Sequence, residues 1–176
     1  MISAIVAVDE DWGIGFNGEL LEKIPEDLKY FKDLTSNHIV VMGRKTWDSL
    51  PNKPLKDRIN IIISNSLFQS EYNQPWDVIK HLSVCMSLDY AINYIQTINN
   101  DNDVFVIGGG QIYKELLPFC DRVYVTKIFK SHDNVDTFFP NLDEPEEWDT
   151  WKAVHQSETK VYNDIMYQFW TYDRIN

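Results

Sequence analysis

The sequence predicts a single α/β domain over residues 1–176, with a mostly parallel central sheet, an antiparallel C-terminal edge strand and helices on both faces. The first observation behind this prediction is that apolar, strand-like runs alternate with amphipathic helical segments. The second is that no helix separates the last two strand-like runs, which therefore favour antiparallel pairing. The length of 176 residues fits one domain with a sizeable core.

In the first half of the chain, apolar periodicity predicts alternating strands and helices. Pro25 suits the first position of a helix. Apolar residues follow at helical spacing, namely Ile24, Leu28, Phe31 and Leu34. The predicted elements are a strand at Ile2–Val8, a helix at Pro25–Thr35, a strand at 39–42, a helix at about 45–50 and a strand at 59–64.

The second half continues this alternation. Ser87 can cap a helix that runs to Ile98, with a buried stripe formed by Leu88, Ala91, Ile92, Ile95 and Ile98. The other predicted elements are a strand at 104–107, a helix at about 111–117, a strand at 122–129 and tail strands at about 150–157 and 164–172. We expect the two tail strands to pair around residues 161–163.

Composition and charge exclude several classes of function. The formal net charge of −11 is the opposite of what a bulk nucleic-acid binder needs. No apolar run reaches the roughly 18–20 residues that span a bilayer, and Asp9, Glu10 and Asp11 make the N-terminus a strand rather than a signal peptide. The two cysteines and four histidines show no metal-ligand spacing and no disulfide framework. We therefore expect no metal, no membrane partner and a reduced, cytoplasmic setting.

Asp27 is the first residue that suggests chemistry. It borders the apolar stripe of its helix, one turn from Phe31, and an unpaired buried carboxylate is costly. The alternative is electrostatic, because Glu26 and Asp27 both lie in the first helical turn, where acids interact favourably with the helix dipole. Glu26 is expected to face solvent in either case, so both interpretations of Asp27 stay open.

The segment IVVMGRKTWDSL, residues 39–50, is a candidate phosphate site. Gly43 would allow a ligand to approach the backbone closely. Arg44, Lys45 and Thr46 follow at a helix start, where an anion is favoured. The alternative is an ordinary strand–turn–helix connection with solvated cations.

The segment VFVIGGGQIYKELL, residues 104–117, is a second candidate. Its strand ends in Gly108, Gly109 and Gly110, and consecutive glycines are hard to justify by folding alone, since each costs conformational entropy. The segment lacks the spacing of a Rossmann fingerprint and the Lys-Ser/Thr of a P-loop. Tyr113, near the helix start, can line a cofactor or simply pack.

Together these segments resemble the dihydrofolate reductase family along nearly the whole chain. The matching blocks, in the family's order and spacing, are MISAIVAV, WGIG, IPEDLKYFK, VVMGRKTWDSL, PLKDRINIIIS, VFVIGGGQIYKELLP, RVYVTKI and DTFFP. The resemblance implies NADPH-dependent reduction of 7,8-dihydrofolate to 5,6,7,8-tetrahydrofolate, by hydride transfer to pterin C6 and protonation at N5. It also implies antifolate inhibitors, and a monomer is the expected state.

The resemblance implies a substrate site. Asp27 matches the carboxylate that holds the pterin by its N3 and 2-amino edge, and Thr126 matches the threonine that bonds this carboxylate. Arg58 matches the arginine that grips the α-carboxylate of the substrate as a bidentate pair. The other implied substrate contacts are Ile5, Val6, Ala7, Leu28, Phe31, Leu50 and Ile107.

The resemblance also implies a cofactor site. Arg44, with Lys45 and Asn65 nearby, matches the region that receives the adenosine 2′-phosphate and the pyrophosphate, which favours NADPH over NADH. Asp136 matches the acid that latches the mobile loop beside the nicotinamide. The other implied cofactor contacts are Ala7, Ile14, Gly15, Gly43, Thr46, Ser64, Ile107, Gly108, Gly109, Gly110, Gln111, Ile112 and Tyr113.

The sequence departs from the family pattern in the mobile loop. Where the family commonly has Leu-Pro-Trp, this chain has Leu20, Leu21 and Glu22. Loss of the proline should loosen the loop. We expect Glu22 either to approach Asp27, which would raise one pKa of the pair, or to point to solvent. Gln111 stands where some relatives have an arginine, and the segments 66–77 and 99–103 have no clear role in the resemblance.

Two rival functions keep part of this pattern. A pyrimidine reductase of riboflavin synthesis with the same fold would keep the glycines and NADPH, but would not need Asp27 and Arg58 in these contexts. A non-catalytic module that binds folate or NADPH is suggested by the departures at Leu21 and Glu22. Such a module would bind its ligand without turnover.

Overall fold

The strands and helices of the chain follow the predicted alternation. In the computed structural model the described residues are 1–67, 82–98, 102–147 and 149–175, so the predicted segments 66–77 and 99–103 fall mostly outside them. The elements are β1 (Ile2–Val8), β2 (Gly13–Phe16), β3 (Glu19–Leu20), α1 (Pro25–Thr35), β4 (Ile39–Gly43), α2 (Arg44–Ser49), β5 (Ile59–Ile63), β6 (Leu82–Cys85), α3 (Leu88–Ile98), β7 (Val104–Gly108), α4 (Gly110–Leu116), β8 (Arg122–Ile128), β9 (Thr137–Phe138), β10 (Trp151–Gln156), β11 (Lys160–Tyr162) and β12 (Ile165–Arg174).

The main sheet has the strand order β10-β12-β8-β1-β7-β4-β5-β6, with β11 added to β12. Strand β1 pairs in parallel with β7 and β8, and β4 pairs in parallel with β5 and β7. Strand β12 is antiparallel to both β8 and β10. This confirms the predicted mostly parallel sheet with an antiparallel C-terminal edge. No helix within the described residues is long and apolar enough to cross a bilayer.

Side chains on opposite faces of the sheet enter different apolar clusters, because strand side chains alternate. On one face Val41 packs with Ala91 of α3 and Ile112 of α4. On the other face Val40 packs with Trp47 of α2, and Phe31 of α1 lies against that cluster. Helices therefore cover both faces, as predicted.

Helix α1 has the predicted bounds, yet its apolar stripe is less buried than expected. Leu28 is 47% exposed, whereas Phe31 and Leu34 pack against the second cluster. The first turn of α1 therefore stands beside the sheet with an apolar side chain left accessible. This exposed turn is where Asp27 lies.

The tail pairs as predicted but with an extra hairpin. Strand β10 runs antiparallel to β12, and the short strand β11 folds back onto the start of β12. Asn163 and Asp164 both have positive φ, at 46° and 61°, as a tight two-residue hairpin turn needs. A second small sheet, β3-β2-β9, was not predicted, because its strands are too short to show periodicity.

Lys127 joins β8 to the segment that precedes β10. Its Nζ lies 2.5 Å from Asp143 Oδ2 and 4.1 Å from the ring centroid of Trp170. We expect Lys127→Met to lower the free energy of unfolding by about 1–2 kcal/mol, because the ion pair and the cation–π contact are both lost. Urea denaturation measures the change, with Lys152→Met on the exposed face of β10 as the control. Equal stability of the two variants would contradict this expectation.

Candidate active site

A carboxylate–hydroxyl contact joins the first turn of α1 to β8. Thr126 Oγ1 donates a hydrogen bond of 2.6 Å to Asp27 Oδ1, and Thr126 itself is buried. Burial raises the pKa of Asp27, and the hydrogen bond from Thr126 only partly opposes this effect. An acid placed solely for the helix dipole would remain in solvent. The structure therefore favours the functional interpretation of Asp27.

Glu26 is exposed as predicted, and it also has two partners from the antiparallel strands. Tyr167 donates a hydrogen bond of 2.6 Å to Glu26 Oε2, and Lys160 Nζ lies 2.9 Å from Glu26 Oε1. Both partners belong to the antiparallel extension of the sheet, which reaches the start of α1. These contacts hold the turn that carries Asp27.

Successive side chains of β1 point to opposite faces of the main sheet. Ile5 belongs to the cluster packed by Phe31 and Ile107, whereas Val6 belongs to the cluster on the opposite face. The side chain of Val6 is therefore turned away from α1, and only its backbone is available on that side. The carbonyl of Ile5 accepts a hydrogen bond of 2.7 Å from the Tyr113 hydroxyl, so Tyr113 ties α4 to β1.

The two predicted phosphate segments meet at neighbouring strand ends. A Cβ on Gly43 would lie 2.9 Å from Ile112 Cγ1 and 3.9 Å from the backbone nitrogen of Gly109. A Cβ on Gly108 would lie 3.2 Å from Thr46 Oγ1, and Gly108 has a φ of 127°, which only glycine adopts readily. The Gly108–Gly109 peptide is cis. The two segments thus pack closely against each other at this point, and a side chain on either glycine would push them apart.

Arg44 follows Gly43 and is held by two side chains of its own region. Arg44 Nη1 donates to Ser66 Oγ at 2.7 Å, and its Nε lies 3.4 Å from Asp48 Oδ2. The hydroxyl of Ser64 accepts a hydrogen bond from the backbone N–H of Leu67 at 3.2 Å, so Ser64 stabilises the segment that follows β5. The remaining predicted cofactor residues in this region are exposed, namely Lys45, Asn65 and Gln111.

Arg58 is a buried cation with an unused donor. It is 7% exposed, and its Nε has no hydrogen-bond partner among the described residues. Its guanidinium lies 5.8 Å from the ring centroid of Phe31. Burial lowers the pKa of Arg58, and nearby Asp57 opposes this effect. A carboxylate would satisfy such a guanidinium with two parallel hydrogen bonds.

The loop after β1 is latched as the resemblance implied. Asn17 donates its backbone N–H to Asp136 Oδ2 at 2.8 Å, and Gly15 accepts the backbone N–H of Asp136 at 3.1 Å. The hydrogen bonds from Asn17 and Thr137 lower the pKa of Asp136. Ile14, which precedes Gly15 in the loop, lines a narrow crevice together with Ala7 and Ile128.

Both expectations for Glu22 were wrong. Glu22 neither pairs with Asp27 nor points to solvent, because Lys130 Nζ lies 2.5 Å and His132 Nε2 3.0 Å from its Oε1. Burial alone would raise the pKa of Glu22, but the hydrogen bonds from Lys130 and His132 outweigh it and the pKa is lowered. The same imidazole contacts Asp9 through Nδ1 at 3.1 Å. Sequence reasoning missed this cluster, since no local spacing relates the four residues.

A parallel α/β sheet whose glycine-lined strand ends lie near a partly buried carboxylate is the architecture of a dinucleotide-dependent oxidoreductase. Comparison with known proteins agrees with that class. A family model for dihydrofolate reductase matches residues 1–174. The chain therefore belongs to the dihydrofolate reductase family.

Curated relatives carry the same name. The dihydrofolate reductase of Heliothis virescens is 35% identical over 99% of this chain and 97% of its own length. That of Bacillus subtilis is 35% identical over 100% of this chain and 96% of its own length. The bifunctional dihydrofolate reductase-thymidylate synthase of Glycine max is 37% identical, but the chain spans only 33% of that protein. These relatives support dihydrofolate reduction, and none of them favours either rival function.

Proposed function

We propose that this protein reduces 7,8-dihydrofolate to 5,6,7,8-tetrahydrofolate with NADPH, and that residues 1–176 form one domain for this reaction. The observation that carries the proposal is the carboxylate of Asp27, held by Thr126 at 2.6 Å beside exposed Leu28. A pterin presents a ring N–H and an amino group on one edge, and a carboxylate accepts such a pair in a bidentate manner. The apolar neighbours then contact the faces of the ring.

When bound, the nicotinamide supplies the hydride that C6 of the pterin accepts. Asp27 orients the ring by its N3 and 2-amino edge, and its negative charge stabilises the positive charge that develops when N5 is protonated. Thr126 keeps the carboxylate in place. A water polarised by the site is the proposed proton donor to N5, so Asp27 need not reach N5 itself.

Arg58 is proposed to bind the α-carboxylate of the substrate tail. Its unpaired Nε is buried, and Phe31 lies against the guanidinium. Phe31 and Leu50 both pack on the cluster that contains Ile5, and with Leu28 they form the proposed apolar walls between the pterin and this arginine. The buried cation favours a substrate with an anionic tail.

The residues present fit a dinucleotide. A Cβ would crowd Gly43 and Gly108, so only glycine lets these segments pack this closely. The partly exposed backbone of Gly109 and Gly110 at the start of α4 is proposed to bind the pyrophosphate. Arg44 and Lys45 are proposed to bind the 2′-phosphate. The residues proposed beside the nicotinamide are Ala7, Ile14, Gly15 and Ile107.

We expect Arg44→Ser to lower kcat/KM for NADPH by about tenfold while leaving kcat/KM for NADH nearly unchanged. The physical reason is the loss of one charge-assisted hydrogen bond to a phosphate that NADH lacks. The measurement is the rate of oxidation of each nicotinamide with saturating dihydrofolate, followed by its absorbance. Equal losses with both cofactors would show that Arg44 acts on folding or on the pyrophosphate instead.

We also propose that the enzyme works in the cytoplasm as a monomer and that antifolates shaped like a pterin compete with the substrate. Cys85 and Cys120 are free and buried, and burial raises the pKa of each to about 12. Such thiols stay protonated and unreactive, which suits a protein that folds without disulfides.

A further inference from the structure

The imidazole of His132 is held between two carboxylates from opposite ends of the loop that connects β1 to α1. Its Nδ1 lies 3.1 Å from Asp9 Oδ2, directly after β1, and its Nε2 lies 3.0 Å from Glu22 Oε1, shortly before α1. The ring is 14% exposed, and the side chain of Asp9 is 1% exposed. One side chain of the segment after β8 thus contacts both ends of loop 9–22.

Hydrogen bonds from both ring nitrogens would need the charged form of the ring. Asp9 Oδ1 accepts the backbone N–H groups of Asp11 at 3.0 Å and Gly13 at 2.7 Å, as an ionised carboxylate does. Glu22 Oε1 accepts from Lys130 Nζ at 2.5 Å. Ionised carboxylates can only accept hydrogen bonds, so both ring nitrogens must donate, and only the imidazolium has two N–H groups. A neutral ring would turn a lone pair toward one of the two oxygens.

The loop between these carboxylates reaches the cleft. It carries β2 and β3, and its residues Ile14 and Leu21 line the crevice that Glu22 shares with Ala7. We propose that His132 is a positioning residue for dihydrofolate reduction, whose protonated ring ties both ends of loop 9–22 and thereby places Ile14 and Glu22 at the mouth of the cleft. It contacts neither the proposed substrate site nor Asp27, and acts through the loop.

The other charged groups near the ring do not replace it. Lys130 pairs with Glu22, but within the described residues no second side-chain cation is paired with Asp9. Loss of one ring proton therefore leaves the imidazole a single N–H, which can donate to Asp9 or to Glu22 but not to both, so the ring no longer ties the two ends of the loop together. The remaining charged neighbours are Glu10, which accepts from Ser131 Oγ at 3.0 Å, Glu19, which pairs with Lys23, and exposed Asp133.

The bridge therefore exists only while both ring nitrogens carry a proton, and it is lost when the ring is deprotonated. Asp27 also titrates, so the pH profile of the wild type alone cannot isolate the bridge. His132→Arg supplies the reference, because arginine stays charged and its planar fork can contact two carboxylates. The ratio of kcat/KM for the wild type to kcat/KM for His132→Arg at each pH cancels the pH dependence that comes from Asp27, because both proteins contain that residue.

The kinetic test compares kcat/KM for dihydrofolate from about pH 5 to pH 9 in the wild type, His132→Arg, His132→Gln and the control His155→Gln, whose histidine is exposed on β10. We expect the ratio of wild type to His132→Arg to fall by about tenfold across the neutral range, the loss of one charge-assisted hydrogen bond. His132→Gln should be low throughout, and the control should follow the wild type. A flat ratio, or a His132→Gln profile equal to that of the wild type, would overturn the proposal.

A second measurement tests the bridge without turnover. In protein labelled with ¹⁵N in its histidine rings, NMR should show both nitrogens of His132 protonated at low pH, with protection of the loop amides falling as the second proton leaves. A ring with a single proton at low pH would also overturn the proposal. The kinetic part rests on the proposed function and the NMR part does not. A doubly protonated ring in a protein without turnover would therefore reject only the proposed function.

Discussion

Asp27→Asn is expected to lower kcat/KM for dihydrofolate by about 10²- to 10⁴-fold, the range that a positioned acid–base group contributes. Asparagine keeps the shape of the side chain and an oxygen that can accept from Thr126 Oγ1, the contact of 2.6 Å in the wild type. It loses the negative charge that would bind the ring edge and stabilise a protonated pterin. The measurement is NADPH oxidation with dihydrofolate under steady-state conditions.

The same substitution is expected to leave the folded state at least as stable. Burial raises the pKa of Asp27, so the folded state binds this proton more tightly than the unfolded state does. Its contribution to stability is then fully present below the unfolded-state pKa and is lost as pH rises through the folded-state pKa. The side chain of asparagine does not ionise, so the variant does not lose this stability as pH rises. Its free energy of unfolding at neutral pH should therefore be equal to or higher than that of the wild type.

A matched control lies on the same helix. Asp33 is exposed on α1 and pairs with Lys29 at 2.5 Å, so Asp33→Asn changes the same residue type without touching the cleft. We expect its kcat/KM to equal that of the wild type. If Asp27→Asn kept most of the wild-type turnover, or lost it only because it unfolded, the proposed role of Asp27 would be wrong.

Arg58→Gln is expected to raise KM for dihydrofolate by about 30-fold or more, because a desolvated, bidentate contact to a carboxylate is lost. The effect on kcat should be much smaller, since Arg58 is proposed to bind the tail rather than the ring. Stability should not fall, because the buried Nε has no partner among the described residues and glutamine carries no charge to bury. Steady-state kinetics and urea denaturation measure the two effects.

Arg122 is the matched control for Arg58. Its guanidinium makes a bidentate pair with Asp173, at 2.6 and 2.9 Å, between β8 and β12. Arg122→Gln should therefore lower the free energy of unfolding and leave KM unchanged. A pterin substrate without the carboxylate tail should show the same KM in Arg58→Gln and the wild type, and a difference there would argue against tail binding by Arg58.

Much of the fold could be predicted because hydrophobic periodicity is a local property. Helix α1 begins and ends at the predicted residues, and Ser87 accepts the N–H of Tyr90 at 3.2 Å as the predicted cap of α3. The parallel sheet follows from buried strands separated by helices. The strands β2, β3, β6, β9 and β11 escaped prediction because two to four residues are too few to show a period.

The candidate site, like the fold, could be predicted only where the signal is local in sequence. Asp27, Thr126, Arg58 and the glycines were identified because they stand in recognisable segments, and the fold brings two of those segments together at adjacent strand ends. Glu22 was misplaced and the partners of exposed Glu26 were not predicted, since His132 and Lys160 lie far along the chain. Leu28 was expected to be buried, because periodicity shows which face of a helix is apolar but not what covers that face.

The sequence by itself therefore determined the α/β fold and the family, and it supplied the residues proposed for the site. Only the tertiary structure decided the partners of the acids, including His132 between Asp9 and Glu22. The physical reason is that the two kinds of interaction act over different separations along the chain. Apolar periodicity and turn formation are set by near neighbours in sequence, whereas a hydrogen bond or an ion pair depends on distances of a few ångströms that only the folded chain defines.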